Sequence, residues 1–197
     1  MDTSPTLCIV AGPNGSGKTT TTLQLLRHEW GEHSIYINPD DIAQEQFGDW
    51  NSPEAVLQAA KEATRLRYEC LAKRCDFVFE TVFSSDEKLA FVRKAKDAGY
   101  FIRIFFVCTS NPHINLSRIA KRYIDGGHDV PVRKVIDRYY KSLLNVGKAM
   151  PLADRVYVYD NSAEGCTPLL LFRTVDGKLC KQYKDPLPRW AALLITP

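Results

Sequence analysis

A run of eight residues near the start of the chain constrains its fold more than any other feature. The run follows an apolar stretch at residues 7–11 and matches every fixed position of the pattern G-x-x-x-x-G-K-[ST]. Glycines in this pattern allow consecutive backbone N–H groups to curl around an anion, and the following helix adds the positive end of its dipole. The sequence therefore predicts a strand, a phosphate-binding loop and a helix. The residues expected to contact phosphate are Gly12, Pro13, Asn14, Gly15, Ser16, Gly17, Lys18, Thr19 and Thr20.

The side chains at the end of the loop indicate which anion it holds. Lys18 is expected to reach the β- and γ-phosphates of a nucleoside triphosphate, and the Thr19 hydroxyl to bind a Mg²⁺ that bridges them. A turn rich in Gly and Ser could join a strand to a helix without a ligand, but it would not need Gly-Lys-Thr at this position. The expected cofactors are therefore ATP or GTP, with Mg²⁺.

Apolar segments rich in β-forming residues alternate with helical patterns along the chain. The expected strands cover residues 7–11, 34–38, 76–80, 101–108 and 155–159. This alternation predicts an α/β fold with a central, mainly parallel sheet, and together with the phosphate loop it predicts the three-layer fold of P-loop NTPases or kinases. Two further apolar runs flank the pair Asp176-Gly177 and predict a C-terminal hairpin.

Two helices have recognisable ends in the sequence. One is expected to begin after Ser52, with proline in its first position, and to run to about Arg74. The next is expected to begin at a capping box formed by Ser84 and Glu87, and to end at Gly99 in a left-handed conformation.

Residues 111–150 depart from this alternation. Two helical segments rich in Arg and Lys are separated by a turn at residues 126–131, to which His128 is assigned as a turn residue. We interpret residues 111–150 as a helical lid within a single domain that spans residues 1–197.

Composition limits the class of protein. The chain has 197 residues, of which 45% are hydrophobic, and this fits one domain with a sizeable core. The formal charge of +3 is mild and the basic residues are dispersed, so the sequence does not favour nucleic acid as a partner. The six cysteines include no C-x-x-C pair, and the sequence has neither a signal-peptide pattern nor a membrane-spanning apolar stretch. A cytoplasmic protein with reduced thiols and no membrane contact is expected.

Polar side chains follow several of the predicted strands, at the sheet edge where ligands bind in such folds. Asp40 is expected to orient a substrate hydroxyl or accept its proton, and Asp41 to cap the next helix, although Asp40 could itself be the cap. Glu80 and Thr81 are expected to contact substrate, or Glu80 a metal-bound water, because a carboxylate at a strand end is costly unless it is used. A salt bridge between Glu80 and a lid arginine is the alternative. Asn161 is typical of a turn, with contact to an adenine edge as its alternative.

Three arginines of the lid are candidate catalytic residues. Arg118 and Arg122 are four positions apart on one predicted helix and share a face, and Arg138 lies on the second helix. Guanidinium groups stay charged and bind phosphate oxygens in a fork, so they suit the charge that develops when a γ-phosphoryl group is transferred. At least one of the three is expected to close over the triphosphate, although a single arginine on a basic helix is also typical of a solvated surface.

Several motifs together resemble the zeta-toxin family of P-loop kinases. They are the phosphate loop with its neighbours, Ile37-Asn38-Pro39-Asp40-Asp41-Ile42, Phe79-Glu80-Thr81, Arg118-Ile119-Ala120-Lys121-Arg122, residues 126–131 and Arg138-Tyr139. Their order and spacing are similar to the shorter, stand-alone branch of the family, and the resemblance covers residues 7–161.

This resemblance implies a kinase that uses ATP or GTP to phosphorylate a hydroxyl of a small molecule; the better-known toxins act on UDP-N-acetylglucosamine. It implies that Lys18 and Thr19 hold nucleotide and Mg²⁺, that Asp40 is the catalytic aspartate and that Glu80 lies in the substrate cleft. It also places the three lid arginines in the region that supplies phosphate-binding arginines, and it is compatible with an antitoxin-like protein partner.

Two alternatives use the same loop. One is a regulatory or partner-binding module that binds nucleotide and hydrolyses it slowly. The other is a kinase whose acceptor is a different metabolite or a nucleic-acid end.

Overall fold

The computed structural model describes residues 4–28, 34–47, 52–124 and 130–195. Within these ranges, seven strands form one sheet: β1 (Thr6–Ala11), β2 (Ile35–Ile37), β3 (Phe77–Thr81), β4 (Phe101–Cys108), β5 (Arg155–Asp160), β6 (Leu169–Val175) and β7 (Lys178–Gln182). They lie in the order β2-β3-β1-β4-β5-β6-β7. The first five strands are parallel, whereas β6 and β7 are antiparallel. The predicted α/β fold, with its mainly parallel sheet and C-terminal hairpin, is confirmed.

The helices are α1 (Lys18–Leu26), α2 (Pro39–Phe47), α3 (Pro53–Lys73), α4 (Asp86–Asp97), α5 (Pro112–Ile124), α6 (Val132–Ala149) and α7 (Arg189–Ala192), with a 3₁₀ turn at Met150–Leu152. α3 begins where the sequence predicts, because the Ser52 side chain accepts a hydrogen bond from the Ala55 backbone N–H (3.5 Å). It ends at Arg74, which adopts a left-handed φ of 54°. No helix within the described residues combines the length and the apolar character needed to cross a bilayer.

The start of α4 differs from the prediction. Ser85 precedes the helix, and Glu87 does not close a capping box because its Oε1 accepts a hydrogen bond from Nη2 of Arg67 on α3 (3.0 Å). The Arg67 guanidinium lies over the rings of Phe79 and Phe91 and is almost completely buried. A long-range ion pair has therefore replaced the predicted local cap.

Helices cover both faces of the sheet. The larger core lies on the face that packs against α3, α4, α6 and α7, and includes Phe77, Phe79, Phe91 and Phe106. The smaller core lies under α1 and includes Leu25 and Phe105. The three-layer arrangement predicted from the sequence is present.

Much of the predicted lid belongs to the core. Tyr139, Val146 and Ala149 of α6 are buried in the larger core, and Ile119 of α5 is buried in a smaller cluster with residues of α6. The predicted turn residue His128 lies outside the described residues. The lid stays a prediction, and the buried faces of α5 and α6 belong to the core.

Candidate active site

The phosphate loop, residues 12–17, leaves β1 at the carboxyl edge of the sheet and enters α1 at Lys18. Gly15 and Gly17 have left-handed φ angles of 73° and 90°, which glycine adopts without steric cost. Thr19 and Thr20 are exposed on the first turn of α1. The Thr19 hydroxyl is therefore accessible to a metal ion, as its predicted role requires.

The Lys18 side chain folds back on its own loop. Its Nζ donates a hydrogen bond to the backbone oxygen of Pro13 (3.1 Å). Burial lowers the pKa of Lys18; the negative charges of Glu80 and Asp40 oppose this shift, and two arginines add to it. A polyphosphate beside Lys18 would supply further negative charge and favour its protonated form.

Glu80 is held at the end of β3 by two hydroxyl groups. Its Oε2 accepts hydrogen bonds from Thr22 Oγ1 (2.9 Å) and from the Tyr36 hydroxyl (3.4 Å). Glu80 itself is 8% exposed. Among the described residues it forms no ion pair with an arginine, so the structure shows hydroxyl contacts in place of the alternative salt bridge. Burial and the charge of Glu80 raise the pKa of Tyr36, which keeps this phenol a hydrogen-bond donor.

Asn38, and not Asp41, caps α2. The Asn38 side-chain oxygen accepts a hydrogen bond from the Asp40 backbone N–H (3.1 Å), and its backbone oxygen accepts one from Ile42 (3.1 Å). The prediction that Asp41 is the cap is therefore wrong. Asp40 lies exposed on the first turn of α2, and its carboxylate is not used by the cap.

Two of the three candidate arginines lie with Lys18. Arg122 and Arg138 are near enough to lower the pKa of Lys18, and Nη1 of Arg138 donates a hydrogen bond to the side-chain oxygen of Asn14 in the loop (3.3 Å). Burial lowers the pKa of Arg138, and the charges of Asp137 and Asp40 oppose that shift. Lys18 therefore lies within electrostatic reach of two carboxylates and two arginines, and of the two arginines Arg138 is the one that bonds to the loop.

Arg118 lies apart from this cluster. Its Nη2 donates a hydrogen bond to the backbone oxygen of Ala163, after β5 (3.3 Å). There it lines a cavity of about 270 Å³ with Ile114, Ser117, Lys121, Ser162 and Glu164. Its lining residue Ser162 follows Asn161, which donates a hydrogen bond to the backbone oxygen of Ser16 in the loop (2.8 Å).

Sequence reasoning missed some residues of the site. Thr22 was not predicted to hold Glu80, and Asn115, whose side chain binds the loop, was not singled out. The predicted substrate contact Thr81 accepts a hydrogen bond from the Phe83 backbone N–H (3.0 Å). One signal for Asn115 existed: it lies four positions before Ile119, on the buried stripe of α5.

A mainly parallel sheet with strand order 2-3-1-4-5 and a glycine loop after its central strand defines the P-loop class of nucleotide-binding proteins. The sequence model of the zeta toxin family matches residues 1–166, and the chain belongs to this family.

Individual proteins resemble this chain in sequence or in fold. An uncharacterized protein of Haemophilus influenzae is 29% identical over 128 residues, which cover 65% of this chain and 88% of that protein. A structure from the PezAT toxin–antitoxin system of Streptococcus pneumoniae has a TM-score of 0.61 at 17% identity and covers 81% of this chain and 70% of its own. The AvrRxo1-ORF1:-ORF2 structure with ATP has a TM-score of 0.67 at 15% identity; it covers 98% of this chain, which spans 63% of the matched chain. At these identities the two structures show a shared fold.

Proposed function

We propose that this protein is a nucleotide-dependent kinase that transfers the γ-phosphoryl group of ATP or GTP to a hydroxyl of a small molecule. Membership of the zeta toxin family supports a nucleotide-dependent kinase. The observation that carries the proposal is the arrangement at the phosphate loop, where Lys18 and Arg138 both bond to the loop and Glu80 is held beside α1 by Thr22. Phosphoryl transfer depends on such positioning and charge neutralisation more than on covalent chemistry by the protein.

The residues at the loop fit a magnesium nucleotide. Both hydrogen bonds to Glu80 fall on Oε2, so among the described residues Oε1 is available to a metal-bound water. Together with the exposed Thr19 hydroxyl, it offers the oxygen ligands that Mg²⁺ prefers. The ion would neutralise charge on the β- and γ-phosphates.

The acceptor hydroxyl is assigned to Asp40. Because Asn38 caps α2, the Asp40 carboxylate is free to accept a proton from, or orient, an incoming hydroxyl. Lys18 would leave the Pro13 oxygen for the phosphates, and Arg122 and Arg138 would stabilise the charge that develops on the transferred group.

The base of the nucleotide is assigned to the cavity beside Arg118. Its volume of about 270 Å³ and its position next to the loop suit a nucleobase, over which the Arg118 guanidinium can stack. In this assignment Arg118 holds nucleotide, whereas Arg122 and Arg138 act on the γ-phosphate.

The family resemblance supports a nucleotide sugar such as UDP-N-acetylglucosamine as the first acceptor to test. The structural neighbour from the PezAT toxin–antitoxin system supports a search for an inhibitory, antitoxin-like protein partner. Copurification from the native host, followed by activity assays with and without the partner, tests this second point.

The main experiment is a metabolite screen. The protein, ATP and Mg²⁺ are incubated with a metabolite extract and with pure UDP-N-acetylglucosamine, and mass spectrometry seeks an ATP-dependent gain of one phosphate. Lys18→Ala and Asp40→Asn should abolish the gain, while Asp41→Asn, on the same helical turn, should retain it. ATP consumption that yields only free phosphate with every acceptor, nucleic-acid ends included, would contradict the proposal and favour a regulatory nucleotide-binding module.

A further inference from the structure

Two asparagine side chains from outside the phosphate loop bind the backbone oxygens of the loop. Nδ2 of Asn115, on α5, donates to the oxygen of Asn14 (2.6 Å), and Nδ2 of Asn161, after β5, donates to the oxygen of Ser16 (2.8 Å). We propose that these two residues, here called the amide clamp, are positioning residues that aim the backbone N–H groups of the loop at the phosphates. This inference rests on the proposed function, because it concerns the same nucleotide site.

The geometry of the peptide bond connects the clamp to the anion. In a trans peptide the C=O and the next N–H point in opposite directions. A clamp that draws the oxygens of Asn14 and Ser16 outward therefore turns the N–H groups of Gly15 and Gly17 away from the clamp, into the loop. Among the described residues these two N–H groups have no hydrogen-bond acceptor. They are free for an anion, and a flipped peptide would present a repelling carbonyl oxygen in their place.

The clamp is itself held in place. Asn115 is fully buried, and its side-chain oxygen accepts a hydrogen bond from the hydroxyl of Thr109, which fixes the orientation of the amide. The backbone oxygen of Thr109 in turn accepts a hydrogen bond from the hydroxyl of Tyr139 on α6 (2.5 Å). Asn161 is anchored to the sheet, since its backbone N–H donates to the oxygen of Cys108 (2.8 Å). The Asn115 amide is therefore held from both sides, and the Asn161 backbone is fixed to the sheet.

The amide clamp contacts the loop at two positions where a residue with a Cβ atom would collide with it. A Cβ atom at Gly15 would lie 2.7 Å from the backbone oxygen of Asn115, and one at Gly17 would lie 2.2 Å from Nδ2 of Asn161. At Gly15 the obstacle is backbone, which cannot give way cheaply, whereas at Gly17 a side chain would push the Asn161 amide off the loop. Both clamp residues can therefore approach the loop closely because its facing residues are glycines.

The test measures binding of two ligands by calorimetry: sodium tripolyphosphate, which has no base, and ATP, each with Mg²⁺. Asn115→Leu and Asn161→Leu should each lower the affinity for both ligands about 10- to 100-fold. This is the range expected when one loop N–H loses its hydrogen bond to a charged phosphate. Asn145→Leu is the matched control. Asn145 is also a buried amide, but it donates to the backbone oxygen of Phe83 (3.1 Å) and not to the loop, so its loss should leave tripolyphosphate affinity unchanged.

The outcomes separate the possible roles. Circular dichroism of each unliganded variant gives its folded fraction, and Asn161→Ala, at a half-buried position, serves as the milder variant if the Leu variants unfold. If loss of Asn161 weakens ATP but not tripolyphosphate, Asn161 contacts the base and the clamp is refuted. Lower thermal stability with unchanged affinity for both ligands would also refute it. If the wild-type protein binds neither ligand, the proposed function fails and this inference fails with it; tight binding by all variants overturns the inference alone.

Discussion

The bond between Thr22 and Glu80 provides a quantitative test of the site. Thr22→Val keeps the shape of the side chain but removes the hydroxyl that donates to Oε2 at 2.9 Å. Both residues are buried, at 1% and 8% exposure, and the remaining partner of Glu80, Tyr36, lies at 3.4 Å. A hydrogen bond to a charged group contributes about 1.5–3 kcal/mol. For a chain of this size, each kcal/mol corresponds to about 2–4 °C in Tm, so the variant should melt about 3–12 °C lower.

The neighbouring residue provides the control. Thr21 is also buried on α1, but its hydroxyl has no hydrogen-bond partner among the described residues. Thr21→Val should therefore be neutral or slightly stabilising, since it removes an unsatisfied buried polar atom. Thermal melting followed by circular dichroism, with a urea titration for the free energy of unfolding, measures both variants. If Thr22→Val and Thr21→Val melted at the same temperature, the assigned role of Thr22 in holding Glu80 would be refuted.

Three other variants test separate parts of the account. Lys18→Met should abolish nucleotide binding yet raise the Tm of the unliganded protein, because burial lowers the pKa of Lys18 and so disfavours its charged form. Melting scans should show this gain in Tm shrinking as pH rises from the lowered pKa towards the ordinary lysine value. A variant with a lower Tm than the wild type would contradict the argument. Arg67→Ala should cost about 3 kcal/mol in a urea titration, because it empties a buried site and removes the ion pair with Glu87, which then keeps Lys88 as its partner. Arg65→Ala, two positions away with exposed ion pairs, should melt like the wild type, and equal losses would refute this difference. Arg138→Ala should lower the rate of phosphoryl transfer at least about 100-fold with little change in ATP affinity. Arg118→Ala should mainly lower the affinity for ATP. The reverse pattern would refute the assigned roles.

Local signals in the sequence predict much of the fold. The phosphate loop, the Ser52 cap and the Asp176-Gly177 turn each depend on residues that are adjacent in sequence, and the structure contains all three. The predicted Ser84–Glu87 capping box does not form, and here a long-range contact decides: Glu87 accepts a hydrogen bond from Arg67, twenty positions away. No periodicity in the sequence reports such a competition.

The candidate site also combines features that the sequence predicts with contacts that only the fold brings together. Asp40 and Glu80 could be predicted to lie near the loop because parallel strands end at one edge of a sheet. The cap of α2 was assigned to the wrong residue, since Asn38 and Asp41 are both good capping residues and only the backbone decides between them. The contacts of Asn115 and Asn161 with the loop span 101 and 145 positions, so they become visible only in three dimensions.

The most direct measurement follows the γ-phosphate of labelled ATP in a single reaction with the acceptor found by the metabolite screen. Chromatography divides the label between the organic product and inorganic phosphate. We expect the wild-type protein to place the label mainly in the organic product, and Asp40→Asn to bind ATP normally yet lose that product. If Asp40→Asn transferred phosphate at the wild-type rate, or if the wild-type protein released only inorganic phosphate, the proposed kinase mechanism would be contradicted.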